Sequence, residues 1–368
     1  MIGRLQTLAL ELMGLPGLSG HESRVSHAIA AHLIEAGIAS AHDRFGNLIA
    51  TIPGTDPTAP SVMVFAHTDQ LGLIVRRIEA GGLIRFERVG GIPDRALPAT
   101  AVLLCVGEGR DVAGVIANKA HHATSQDEKF RVLPYQDLYI DIGAGSAEEV
   151  RGRGIDVGTP IVYAPHGFRL GEHCIAGTGV DDRAGCAVLI EIARTLSVAP
   201  ARATVHCVFS VQEEFNLRGA AVAATALQPD LAVQIDLILA TDLPDMASRG
   251  DVALGAGPAM SLYSFHGRGT LNGTLPHPGL VRLFEAAAMR TGITLQRSAH
   301  TGVLTDASYV QLVGRGVGCI DLGFPMRYSH SALEVCDVRD LADLAKLILS
   351  GVRALDADFA LERDRYPV

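Results

Sequence analysis

The sequence predicts an α/β protein: a mixed, mostly parallel sheet sandwiched by helices, with a small β-barrel inserted into it. Three observations lead there. Strand-like apolar runs alternate with helical periods in residues 1–71 and again in residues 164–368, the signature of a sheet covered by helices. Ser61-Val62-Met63-Val64-Phe65-Ala66 is almost continuously apolar, as in a strand buried on both faces. Between them, over residues 72–163, short β-branched runs such as Leu73-Ile74-Val75 and Val112-Ala113-Gly114-Val115-Ile116 are separated by glycine turns, and no helical period is sustained. That texture suits a small barrel or sandwich, read as an inserted domain that interrupts the α/β one.

In order, Leu5 to Met13 carry a helical period and Gly14-Leu15-Pro16-Gly17 breaks it. Ser19 and Glu22 have the spacing of a capping box for a helix running to about Ala36, an ordinary structural role for His21 and Glu22. Asp43 to Ile52 reads as strand, turn and strand, with Gly46-Asn47 in the turn. After the insert come a helix from Ala184 to Leu196, a strand from Thr204 to Val211, a helix from Ala221 to Leu227 and a strand from Leu231 to Asp236. A helix from Gly279 to Arg290, a strand from Gly292 to Gln296, a helix from Asp306 to Val313, a strand from Val317 to Leu322 and a helix from Val338 to Ala354 complete the pattern.

Composition narrows the function. A length of 368 residues favours two domains, and 48% hydrophobic residues are ample for their cores. The formal charge of −9 argues against a nucleic-acid or anionic-membrane partner, and no apolar stretch is long enough for a membrane span. Aromatics are 5% and tryptophan is absent, which disfavours stacking-based binding of sugars or bases. The six cysteines lie far apart and mostly in apolar runs, so they read as reduced residues of a cytoplasmic protein.

Acids and histidines collect where strands end or loops enter helices, the place where open α/β sheets bind ligands. His67-Thr68-Asp69 follows the central apolar run and offers a metal-binding imidazole with a carboxylate close by to fix the ring. Asp181-Asp182 opens an apolar helix, where acids suit the helix dipole but where a bridging carboxylate could also hold two cations. Glu213-Glu214 follows a buried strand; adjacent glutamates point apart, so one can ligate while the other acts as a base. Asp236 sits in an apolar run, with Asp242 before Pro244 as a competing ligand or a turn residue. His330, in Tyr328-Ser329-His330-Ser331, completes the set. Each has an ordinary structural explanation; together they make a plausible ligand set for two borderline divalent cations, zinc or cobalt. His121, His122 and His166 lie in turn-rich stretches and read as surface histidines.

The ordered motifs resemble the M42 metallo-aminopeptidases, the glutamyl and tetrahedral aminopeptidase group. They include Leu18-Ser19-Gly20-His21-Glu22, Ala66-His67-Thr68-Asp69, Val180-Asp181-Asp182-Arg183-Ala184-Gly185-Cys186, Gln212-Glu213-Glu214, Ile235-Asp236 and Arg327-Tyr328-Ser329-His330-Ser331. The resemblance implies a zinc-peptidase-like fold that removes N-terminal residues from peptides. It implies that His67 and Asp236 each hold one ion, Asp181 bridges the pair, and Glu214 and His330 complete the shell. Glu213 would be the general base, Asp69 the acid behind His67, and the peptide between Asp181 and Asp182 would be cis. It further implies a homo-oligomer, possibly a dodecamer, with the inserted domain serving assembly and gating. Gln70 departs from the glutamate common at its position, and Phe215-Asn216 from the smaller residues common at theirs. A metal-dependent deacylase or amidase acting on a small N-acyl compound would use the same ligands, and a non-catalytic, metal-stabilised binding protein is the reading outside enzymes; the presence of Glu213 argues against the latter.

Overall fold

The computed structural model describes residues 1–267 and 269–366. Its spine is four adjacent parallel strands, Val205–Ser210, Val62–His67, Leu231–Leu239 and Gly318–Arg327. Antiparallel strands extend the sheet on both sides: Leu48–Ile52 and Ala41–His42 beyond the first, Glu334–Asp337, Cys174–Gly177 and Gly167–Leu170 beyond the last. Ala259–Phe265 also pairs with Gly318–Arg327 and carries Gln296–Thr301 and Gly273–Thr274.

The apolar run that marked the central strand is used on both faces. Val62, Val64 and Ala66 join one core with the helices Ile2–Met13, Val180–Val198, Pro278–Thr291 and Val338–Arg353. Met63 and Phe65 point the other way, into a second core under Gly219–Leu227 and the short helix Ala307–Val310. Period-two alternation of side chains thus spends every apolar residue of the run on burial.

Six antiparallel strands between Gly72 and Tyr163 close into a barrel: Gly72–Ile78, Ile84–Val89, Ala101–Leu104, Val112–Ile116, Ile140–Asp141 and Pro160–Tyr163. Leu73, Val75, Phe86, Leu104, Ile140 and Ile161 fill a core separate from the two around the large sheet. Closure removes the free edges that so short a set of strands would otherwise expose.

Several sequence expectations shift. Ser19 and Glu22 do not form a capping box: the helix is Ser23–Glu35, with no side-chain cap. Ser19 Oγ donates instead to Asp69, 2.5 Å away, while Glu22 Oε1 accepts from the backbone N–H groups of Gly20 (2.6 Å) and Gln212 (3.1 Å). Buried donors and acceptors beside the site have no water to fall back on, whereas a helix end at the surface does. The strand expected to end at Asp236 runs on to Leu239, so Asp236 lies within it. Gly323 faces Asp236 there; a Cβ at that position would stand 2.1 Å from the Asp236 carbonyl oxygen, so the close approach requires glycine. The strand expected over 292–296 begins at Gln296, because Ile293 N–H still caps the preceding helix on Ala288. The helix expected to reach Val313 stops at Val310. No helix among the described residues is long and apolar enough to cross a membrane.

Candidate metal centre

The parallel strands deliver their acids to one end. His67 closes Val62–His67, and Ser210 opposite it in register leads straight into Glu213 and Glu214. Asp181 comes from the start of Val180–Val198, where Asp181 and Asp182 leave helical geometry and the peptide between them is cis. His330 arrives from the loop after Gly318–Arg327, with a left-handed φ of 63°.

Two ligand groups result. Donor atoms of His67, Asp181 and Asp236 lie within 4.8 Å of one another, and so do those of Asp181, Glu214 and His330. Asp181 belongs to both. Its Oδ1 is 3.0 Å from His67 Nε2, and its Oδ2 is 3.9 Å from His330 Nε2. Glu214 Oε2 is 3.8 Å from the same His330 nitrogen, and Glu213 Oε2 is 3.9 Å from His67 Nε2 without belonging to either group.

The chain fixes these side chains from behind. Asp69 accepts from the backbone N–H groups of both Glu213 and Glu214, each at 3.0 Å, and His67 Nδ1 lies 3.2 Å from its carbonyl oxygen. Gln234 Nε2 donates to Asp236 Oδ2 at 2.9 Å, while Gln234 Oε1 accepts from Ala307 N–H. Asp182 turns away from the ligand groups and accepts from the N–H of His67 (3.3 Å) and of Gly185 (3.2 Å). Arg183 is fully buried; its Nη2 donates to Gln70 Oε1 at 3.1 Å and to Gly17 O at 3.4 Å. The uncharged residue at position 70 is therefore the side-chain acceptor for a buried guanidinium.

Electrostatics favours a cation. Burial, offset in part by His67, and repulsion from Glu214 push Glu213 well above the usual carboxylate range, while burial and the charge of Asp181 do the same to Glu214. Burial and Asp181 push Asp236 up to about 7. Burial opposes charge on His67, yet Glu213, Asp181 and Asp69 hold its imidazolium well above the ordinary range. Carboxylates crowded this closely with two imidazoles are stable as anions only when a positive charge sits among them. Hard carboxylate oxygens with imidazole nitrogens are the donor set of a borderline divalent ion, so the residues fit metal.

A cleft of roughly 910 Å³ opens over the groups. Leu237, Leu239, Leu243 and Met246 line it beside Arg95, Asp245 and Arg249. Asn216 lines it as well, whereas Phe215 packs under the Arg218 guanidinium, 4.7 Å from its carbon to the ring centroid. Asp242 stays out of both groups and pairs with Arg327 at 2.6 Å. His121, His122 and His166 are exposed, and His166 Nδ1 lies 2.9 Å from Ala164 O. All six cysteines are free, though Cys105 and Cys174 are only half-buried.

Sequence reasoning gave several residues around the site no role in it. Glu334 accepts from the backbone N–H groups of both Asp181 (3.1 Å) and His330 (3.0 Å). Asp306, fully buried and pushed up to about 7 by that burial, accepts from Ser210 Oγ at 3.3 Å. Ser19, Glu22 and Gln234 complete the surround. A glutamine inside the apolar strand Leu231–Leu239 was the one signal that could have pointed to Gln234.

The chain matches the M42 glutamyl aminopeptidase family over residues 46–347. It is 32% identical over 360 residues to the lysyl aminopeptidase of Pyrococcus furiosus, covering 95% of this chain and 98% of that one. Among solved structures it resembles aminopeptidase APDkam598 of Desulfurococcus kamchatkensis, with a TM-score of 0.90, 31% identity and 97% coverage of both chains. It also resembles the Pyrococcus horikoshii TET1 peptidase, which can assemble into a tetrahedron or a large octahedral shell, with a TM-score of 0.83, 31% identity and coverage of 96% of this chain and 99% of that one. Sheet, barrel, ligand groups and likeness over nearly the whole length agree, and the chain belongs to the M42 family of metal-dependent aminopeptidases, hydrolases that act on peptide bonds.

Proposed function

We propose that the protein removes N-terminal residues from peptides at a dinuclear centre in which His67 and Asp236 hold one ion, Glu214 and His330 the other, and Asp181 bridges them. The observation that carries this reading is the membership of Asp181 in both ligand groups, one oxygen toward each histidine. Two divalent ions there, zinc or cobalt by the donor set, supply Lewis acidity to the scissile carbonyl and to the attacking water.

The chain's own residues do the rest. Glu213 faces the centre without belonging to either ligand group, its Oε2 3.9 Å from His67 Nε2, which leaves its carboxylate free to act as a general base that takes the water's proton and hands it to the leaving amine. Asp69 keeps Glu213 and Glu214 apart by gripping both backbone N–H groups, and it faces the inner nitrogen of His67 so that Nε2 points at Asp181. Carboxylates around the centre suit the free ammonium of a peptide's first residue, and the leucine-lined wall of the cleft suits its side chain.

Residues 1–71 and 164–368 act as the catalytic domain in this reading. Residues 72–163 serve assembly and gating in a cytoplasmic homo-oligomer, a dodecamer by analogy with its relatives, whose mass light scattering measures. The test of the chemistry is Glu213→Gln. Elemental analysis should still find the ions, while turnover of a free-amine peptide falls by about 10²–10⁴. Near-normal turnover refutes the assignment.

A further inference from the structure

The two ligand groups rest on different parts of the molecule. His67 and Asp236 lie on adjoining strands of the large sheet and Asp181 on the helix packed against it. Glu214 and His330 instead meet the turn that leaves barrel strand Ile84–Val89. His330 Nδ1 is 3.0 Å from the backbone oxygen of Gly91. A carbonyl only accepts, so Nδ1 carries the proton and Nε2 keeps the lone pair that a cation needs.

The contact leaves little slack. A Cβ on Gly91 would stand 3.1 Å from His330 Nδ1 and 3.2 Å from Cε1. At Gly90, whose φ is +90°, a Cβ would stand 2.3 Å from Leu71 Cδ2 and 3.2 Å from the Glu214 carbonyl oxygen. The barrel holds the turn from its far side: Arg88 Nη1 donates to Ile92 O and to Asp94 Oδ1, both at 2.8 Å, and its guanidinium lies 4.4 Å from the Tyr135 ring centroid. The His330 side chain keeps 38% exposure, and its own loop offers it only a backbone anchor, the N–H bonded to Glu334. Gly91 is thus the partner that sets the ring's orientation.

We propose that the Gly91 carbonyl is a positioning group for His330, so that the barrel turn sets the cation affinity of the Asp181–Glu214–His330 group. The proposal rests on the dinuclear reading above. It is tested on the full chain by titrating the metal-free protein with cobalt(II), following heat and visible absorption. The wild type should bind two ions. Gly91→Ala should leave one binding step unchanged, weaken the step that fills the Asp181–Glu214–His330 group by about 10–100-fold and alter the absorption of that ion. The thermal midpoint of its metal-free form should match the wild type, which a merely structural role would not allow.

Arg88→Ala touches no ligand and keeps the Gly91 carbonyl; by loosening the turn it should weaken the same step, by less. If Gly91→Ala fails to fold, this variant decides, and two unchanged binding steps overturn the proposal. Two ions bound by Gly91→Ala with wild-type affinity and absorption overturn it while leaving the dinuclear reading intact. A wild type that takes up one ion refutes the dinuclear reading and this proposal with it.

Discussion

Glu334 is the sharpest test of how the site is held. It opens the strand Glu334–Asp337 and is 3% exposed. One oxygen accepts from the Asp181 N–H and the other from the His330 N–H, so a single side chain sets the backbone under two candidate ligands. Burial, reinforced by the charge of Asp181, raises its proton affinity, but either ionisation state can accept a hydrogen bond. Glu334→Ala strands the buried Asp181 N–H at about 1–3 kcal/mol and the part-buried His330 N–H at less, a loss of about 1–4 kcal/mol in all. That is an appreciable share of the about 5–15 kcal/mol that typically separates folded from unfolded domains. Glu334→Gln keeps one acceptor oxygen and turns an amide N–H₂ toward the other donor, so part of the loss should remain. The assay is urea denaturation of the metal-free protein, with coincident transitions by two probes, followed by competitive metal titration. Affinity should fall along with stability, because the strand-held backbone of Asp181 and His330 is what brings their side chains together. Unfolding within about 0.5 kcal/mol of wild type, the usual range for an inconsequential surface change, would refute the reasoning.

Two further outcomes follow from buried groups. Burial pushes Asp321 up to about 7 from an ordinary 3.8. The folded state therefore binds more protons than the unfolded one between those values, and stability falls as pH rises through that window, by up to about 4 kcal/mol above it. Asp321→Asn should thus be more stable than wild type at about pH 8, with the gain vanishing toward about pH 4; a pH-independent difference in denaturation curves would contradict this. At Gly185 a Cβ would stand 2.1 Å from Asp182 Oδ1, inside the first turn of a fully packed helix. Gly185→Ala should cost about 1–3 kcal/mol of stability by overpacking, and a wild-type unfolding midpoint would show that Asp182 has somewhere to go.

Much of this was readable from the chain because local rules agreed with one another. The run Val62 to Ala66 could satisfy its apolar side chains only between two layers, so a central strand followed from composition alone. Acids at the ends of such runs stood out because unpaired charge beside a core is costly. Helix and strand limits near the site were less readable. Asp236 was expected at a strand end, yet pairing with Gly318–Arg327 carries the strand on to Leu239. Ser19 and Glu22 matched a local capping pattern, but Asp69 and Gln212, distant in sequence, claimed them.

The alternation of apolar runs, the glycine-punctuated insert and the order of acids and histidines determined by themselves the fold class and which residues could serve as ligands. Those are properties of periodicity and residue chemistry, and both are written locally. Tertiary structure alone decided that Asp181 stands in two groups at once, that Gln70 receives the buried Arg183, that Glu334 ties Asp181 to His330, and that Gly91 meets the His330 ring from the barrel. Each of these is a contact between residues far apart along the chain, set by strand register and by the docking of one core against another. No local propensity encodes such distances; they exist only once the whole chain has packed.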